Sequence, residues 1–186
     1  MRRKGLCLIT TCAEKRLDSM ASRGQWNPTM GEGAHADYTL EDAFRLRVLI
    51  VAMDHAGADF ETAQYLLNGI TDLSMHPLNY PRSEGDMWIA AGVVRTGDAD
   101  FPSMRVHCGG RLQDIHAEAL TRFSPEKGQV LEALVCVNVS EAAHFVRKEA
   151  MDIGLPEGRD FSQVWPHGVW PKWMPVAGQL VSSGEA

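Results

Sequence analysis

No stretch of the chain approaches the roughly 18 consecutive apolar residues that carry a helix across a bilayer. The basic start, Met1 to Lys4, leads only into Leu6-Cys7-Leu8-Ile9, which is too short for the apolar core of a secretory signal. A cytoplasmic protein with no membrane partner is therefore expected. The four cysteines, Cys7, Cys12, Cys108 and Cys136, include no CxxC pair, and reduced, inert thiols suit that setting. Fixed-period repeats and low-complexity tracts are missing too, which removes solenoid, collagen-like and mucin-like readings. There is no nucleophile elbow, P-loop, Rossmann glycine set or HExxH, so neither an enzyme nor a cofactor is expected.

What the chain does contain is enough apolar side chain for a packed core, 45% hydrophobic against 23% charged residues. Its 186 residues suit one ordinary domain or two small ones. The net charge of -6 argues against a protein coated with nucleic acid, but the charge is unevenly spread. Residues 1–50 hold eight Lys and Arg against six Asp and Glu, and residues 51–186 hold ten against eighteen. Within residues 1–30 the basic set is Arg2, Arg3, Lys4, Lys15, Arg16 and Arg23, against Glu14 and Asp18, a local density able to face phosphates.

Leu6 to Ile9 and Ala13 to Met20 suit two short helices with a turn near Thr10-Thr11. Gly24 then has the freedom to take the left-handed backbone that follows a helix end. Residues 27–38, with Pro28, Gly31 and Gly33, read as a loop or small hairpin. Thr39, with Glu41 and Asp42 behind it, has the form of an N-cap with acid in the first turn. The helix it opens runs through Phe44, Leu46, Leu49 and Ala52 to near Gly57, and a second begins at or beside Asp59 and continues to Gly69. Residues 71–86, with Pro77, Pro81 and Gly85, read as a linker and mark a domain boundary. Residues 87–94 and 104–108 read as strands joined by the turn-rich Thr96 to Asp100. Leu112 to Leu120 has helical character, Val130 to Val139 is rich in β-branched residues, and Ser140 opens a helix that runs to Gly154. The expected class is α+β, with a small mixed α/β domain at 87–160 and a Trp- and Pro-rich tail at 161–186.

Three landmarks in residues 5–70 occur in a telling order. They are a helix pair ending in Leu17-Asp18-Ser19-Met20-Ala21-Ser22-Arg23-Gly24-Gln25-Trp26, a loop ending in Asp37-Tyr38-Thr39-Leu40-Glu41-Asp42, and a helix pair from Ala43 to Leu67. With Arg23-Gly24, Trp26, Tyr38 and Asp42 at matching places, this third of the chain resembles the winged helix-turn-helix head of the MerR-like transcriptional regulators. The resemblance implies a DNA-binding head at 1–70 whose second helix enters the major groove of double-stranded DNA. It also implies a homodimer on an inverted repeat, with residues 87–160 serving dimerisation, sensing or a protein partner. A second helix packed through Leu17, Met20 and Ala21 leaves Lys15, Arg16, Ser19 and Ser22 partly free. Lys and Arg can reach phosphates or guanine edges, and Ser either a base edge or a phosphate. Arg16, Ser19 and Arg23 lead this set, while Asp18 suits an arginine or a cytosine amino group. The loop has no Lys or Arg, which leaves Thr29 and His35 as its DNA-contacting side chains.

Other residues admit sharper chemistry but suit plainer roles. His107-Cys108 has the residue types of a metal or thiol site, yet its spacing to His116 matches no strong zinc pattern and neighbours on a strand face opposite ways. No metal is expected. Gly109-Gly110-Arg111 reads as a tight turn or an anion-binding nest. His55, beside Asp54, suits the dipole at a helix end more than a general base. Trp165, Trp170 and Trp173 suit packing on a core edge or a partner. The alternative function is a protein-interaction module that uses the helical head and the Trp-rich tail without DNA. A polar pocket uniting His107, Arg111 and His116 would instead mark a small-molecule or catalytic domain.

Overall fold

The computed structural model describes residues 1–26, 38–79 and 85–155. Among them the chain forms six α-helices and a three-stranded antiparallel sheet, an α+β fold. Two short helices come first, α1 (Arg3–Thr10) and α2 (Glu14–Ser22). Helix α3 (Leu40–Asp54) starts at a capping box: the Asp42 amide donates to the Thr39 hydroxyl at 3.1 Å and the Thr39 amide to the Asp42 carboxylate at 2.8 Å. This satisfies two amides that the helix itself leaves without acceptors. Leu40, Ala43, Phe44, Leu46, Val48, Leu49, Ile50 and Ala52 are all buried, so α3 is apolar around most of its circumference and belongs inside.

Helix α4 (Phe60–Leu66) begins where the Asp59 carboxylate accepts the Thr62 amide at 2.6 Å. It then tightens into a 3-10 turn, Leu67–Asp72, rather than continuing as α-helix to Gly69. A second 3-10 turn spans Pro77–Asn79.

Strands β1 (Trp88–Arg95), β2 (Ser103–Gly110) and β3 (Val130–Asn138) form the sheet in the order β2-β1-β3. Ala91 of β1 faces His107 on one side and Val135 on the other. Helix α5 (Leu112–Leu120) follows β2, and α6 (Val139–Asp152) follows β3 directly. The cap of α6 is Asn138, whose side chain accepts the Glu141 amide at 2.9 Å, not Ser140. The buried Ser140 hydroxyl instead accepts the Met87 amide at 2.9 Å, tying the helix start to the approach to β1.

One face of the sheet, with Ile89, Ala91, Val135 and Val137, packs on α3, α4 and α6. The other face, with Ala90 and Cys108, packs on α5 through Ile115 and Ala119. The first cluster also takes in Leu6, Ile9, Leu17, Met20, Phe44 and Leu66, so residues before 71 and after 86 share one core. Part of the expected linker packs into it. His76, Pro77 and Leu78 are buried, and Arg147 of α6 donates to the Leu78 carbonyl at 3.2 Å. His76 Nε2 lies 3.0 Å from the Glu41 carboxylate, an ion-pair distance without hydrogen-bond alignment, while its Nδ1 accepts the Leu78 amide at 3.3 Å. No helix among the described residues is long and apolar enough to cross a membrane.

The seam between helices and sheet depends on two glycines. A Cβ on Gly109 would lie 2.4 Å from the Gly69 carbonyl oxygen, and one on Gly69 would lie 2.6 Å from the Cys108 carbonyl oxygen. The Leu67–Asp72 turn therefore rests on β2 main chain against main chain. Gly109 and Gly110 complete the strand and Arg111 precedes α5, so this tripeptide forms neither the tight turn nor the nest expected of it. A methyl at Gly109 must push the two backbones apart, and overpacking of this kind costs about 1–3 kcal/mol. Nothing lies within 4 Å of a Cβ on Gly110. In urea unfolding, Gly109→Ala should lose stability in that range, while Gly110→Ala stays within about 0.5 kcal/mol of wild type.

Candidate nucleic-acid interface

The turn between α1 and α2 is set by backbone and by α3. Thr11 takes a left-handed φ of 58° at the end of α1, and the Cys12 amide donates to the Cys7 carbonyl at 3.0 Å. Arg47 of α3 donates to the Thr11 hydroxyl at 2.8 Å and reaches the Thr10 carbonyl at 3.4 Å, so a cation covers the helix end where carbonyls are left over. The same guanidinium lies 4.1 Å from the centre of the Phe145 ring on α6, a cation-π contact.

Helix α2 buries Leu17 and Met20. Arg16 makes a two-pronged pair with Asp54 at the end of α3, at 2.5 and 2.8 Å. Arg3 pairs with Asp18 and donates to the Glu14 carbonyl at 3.1 Å. Arg16, expected to be partly free, is about a third exposed but committed to a partner, because the acid at the end of α3 lies within reach of its fork. Asp18 takes the first of its two expected roles, holding an arginine.

Glu14, Lys15, Ala21 and Ser22 are exposed on α2, Asp18 stays exposed within its pair, and Ser19 is half-buried; Lys15, Ser19 and Ser22 are spaced i, i+4 and i+7 on one face, with Arg23 just after the helix. Among the described residues the side chains of Lys15 and Arg23 have no hydrogen bond or ion pair. The Ser22 hydroxyl donates to the Ser19 carbonyl at 3.1 Å and keeps its capacity to accept. Trp26 and Tyr38, the expected landmarks, are both buried. Tyr38 lies beside the chain start, its amide donating to the Met1 carbonyl at 2.8 Å and its carbonyl accepting the Met1 ammonium at 2.5 Å. Thr29 and His35 lie outside the described residues, as do Trp165, Trp170 and Trp173.

The remaining polar groups do not gather into one pocket. His107 faces the helical side of the sheet, where its Nδ1 is 2.9 Å from the Asp72 carboxylate and its ring meets Tyr65 edge-on at 5.4 Å. Arg122 adds a contact to Asp72 at 3.2 Å. Cys108 faces α5, with its thiol directed at the Ile115 carbonyl at 3.6 Å. His116 is exposed on α5, across the sheet from His107, so the grouping of His107, Arg111 and His116 is not assembled. Sequence inspection missed Asp72, which lay in the stretch read as linker and carried no periodic or motif signal. Among the described residues no group of three His, Cys, Asp or Glu side chains could hold a metal ion. Burial pushes all four thiols up, Cys108 to about 11, so they are protonated and weakly nucleophilic near neutrality.

The Arg16 hydrogen bonds hold the Asp54 carboxyl below its ordinary value. With the folded value below the unfolded one, near 3.9, the pair stabilises the fold above about pH 4. That contribution fades as the pH falls through the lower, folded value. The two side chains are 35% and 39% exposed, so the contribution belongs in the surface range of about 0.2–1 kcal/mol. Asp54→Asn should lose that much in urea unfolding at pH 7 and progressively less as the pH falls through the lowered, folded value. Equal losses at both ends would contradict the pairing. For the thiols, Cys108 should react with a disulfide reagent at pH 8 only on the timescale of unfolding; rapid labelling of the native protein would contradict its burial.

No protein-family model matches the chain, and no curated protein matches it significantly in sequence.

Proposed function

We propose that the chain is a sequence-specific double-stranded DNA-binding regulator that acts as a homodimer, with α2 in the major groove and a head of the MerR-like winged helix-turn-helix kind. The observation that carries this reading is the row of Lys15, Ser19 and Ser22 beside Arg23, with the two basic side chains unpaired among the described residues, on a helix fixed from behind by Leu17, Met20 and the Arg16–Asp54 pair. A nine-residue helix is about 14 Å long and matches a major groove roughly 12 Å wide. Docking begins electrostatically, because the lysine and arginine displace counterions from phosphates. The serines then offer donors and acceptors to base edges. Arg16 acts as a positioning residue that sets how far α2 stands out. One such helix covers too few base pairs for specificity, so two copies on an inverted repeat are required.

Selection from random duplex libraries at two salt concentrations tests the reading, and enrichment of an inverted repeat is the expected result. On the selected site, Lys15→Ala should reduce the slope of log affinity against log salt by about one. Arg16→Ala should weaken binding, while Lys127→Ala, on the turn Pro125–Lys127 in the acidic part of the chain, should leave it unchanged. Retention without salt dependence and without an enriched sequence would favour the protein-interaction module instead.

A further inference from the structure

The sheet has one edge with a partner at its side and one without. Beside β2 lie α4 and the Leu67–Asp72 turn, with the Tyr65 hydroxyl donating to the Arg105 carbonyl at 3.0 Å and Glu61 paired with Arg105 at 2.8 Å. Every ladder bond of β3 goes to β1, and among the described residues the outer edge of β3 hydrogen-bonds to nothing.

Open edges are usually protected by proline, lysine, inward charges or bulges. The nine residues of β3, VLEALVCVN, contain no proline and no basic residue, and the lone acid, Glu132, is paired with Arg95 on β1 at 3.0 Å. A bulge does occur, where Val93 and Val94 pair with Ala133 and Leu131 and skip Glu132. It blunts only the start of the strand and leaves Ala133 to Asn138 in regular register. Along that stretch Ala133 is exposed, while Leu134, Val135 and Cys136 are half-buried.

We infer that Ala133 to Asn138 pairs antiparallel with the same stretch of a second copy, joining the two sheets into one of six strands. The choice of a second copy follows from three features. Two identical antiparallel strands generate a two-fold by themselves, which makes the contact self-complementary. The stretch carries no charge, so two copies meet without repulsion. Face matching also holds, since a register with paired positions of even sum keeps Leu134 and Cys136 on the α5 side of both copies and Val135 on the helical side. Main-chain hydrogen bonds then supply the affinity, and apolar side chains half open to water in one copy become covered.

This dimer supplies the two-fold that the DNA reading uses, and it rests on that reading only for its purpose. It is therefore measured without DNA. Light scattering on the full chain across a concentration series should give twice the 20.5 kDa of one chain. Ala133→Lys introduces an edge lysine at an exposed position and should return the mass to one chain at the concentrations where wild type is paired. Its circular dichroism should match wild type, which shows that the fold is intact. Leu120→Lys, at an exposed apolar site on α5, should remain dimeric. In hydrogen exchange, the alternate amides of 133–138 that point away from β1 should gain protection as wild type is concentrated, and Ala133→Lys should abolish that gain. A wild-type monomer, a dimeric Ala133→Lys, or protection of these amides that is independent of concentration, as when another segment of the same chain fills the edge, would each overturn the proposal. A β3 dimer that ignores DNA would sink only the DNA reading, and DNA binding without this dimer would sink only the present one.

Discussion

A helix with apolar side chains on nearly every side has no stable place at a surface, and the arrangement of the chain follows from where α3 must go. Burying a leucine- or phenylalanine-sized side chain stabilises by about 1.5–3 kcal/mol, and α3 offers Leu40, Phe44, Leu46, Leu49 and Ile50 among others. To keep water from all of them, α1, α4, α6 and the β3 side of the sheet must close around it. The few polar groups on α3 then become fixed points. Arg47 holds the end of α1, Asp54 holds Arg16 of α2, and Glu41 lies against His76. The outward face of α2 is thus a consequence of the interior.

Local signals were legible in sequence where the chemistry is local. The capping box at Thr39, the cap at Asp59, the left-handed Gly24, the helix over 112–120 and the strand from Val130 appear where residue type alone places them. What escaped depends on partners distant in the chain. Ser140 has the look of a cap, but the Met87 amide arrives from 53 positions away and takes its hydroxyl, so Asn138 caps instead. Gly109 looks like a turn residue, and only the neighbouring Gly69 backbone shows why it needs to lack a Cβ. The proline-bearing stretch after residue 70 looks like a linker because prolines break helices, yet Pro77 and Leu78 are buried under Arg147. For the candidate site, the face of α2 was readable from helical spacing, whereas the commitment of Arg16 to Asp54, 38 positions on, was not.

Charge at the front of the chain works in two ways. Six basic side chains in the first 30 residues form a dense cluster, but the pairs Arg3–Asp18 and Arg16–Asp54 are internal. Those two arginines serve mainly to orient helices: Arg16 fixes the Asp54 carboxylate with both prongs of its fork, and Arg3 joins the Asp18 carboxylate and the Glu14 carbonyl through one nitrogen. Lys15 and Arg23, without such partners, are the side chains on and just after α2 that can neutralise phosphates with no internal contact to break. Counting basic residues therefore overstates the charge available to a polyanion, and the pairing pattern shows which part of it is available.

The shared core also constrains how two reading helices could be placed. If the head were joined to the sheet by a loose linker, the spacing between heads in a dimer would be set by linker length and would vary. Here α2 is tied to α3, α3 packs against β3, and the buried His76, Pro77 and Leu78 hold part of the connecting stretch against the core. A two-fold formed at the β3 edge would carry its geometry through these contacts to Lys15 and Ser19 without a flexible joint. The separation of the two half-sites on DNA would then be a property of the fold. On the proposed reading, an added base pair between half-sites would turn one of them by about a tenth of a helical turn, a displacement that the packed core has no slack to absorb.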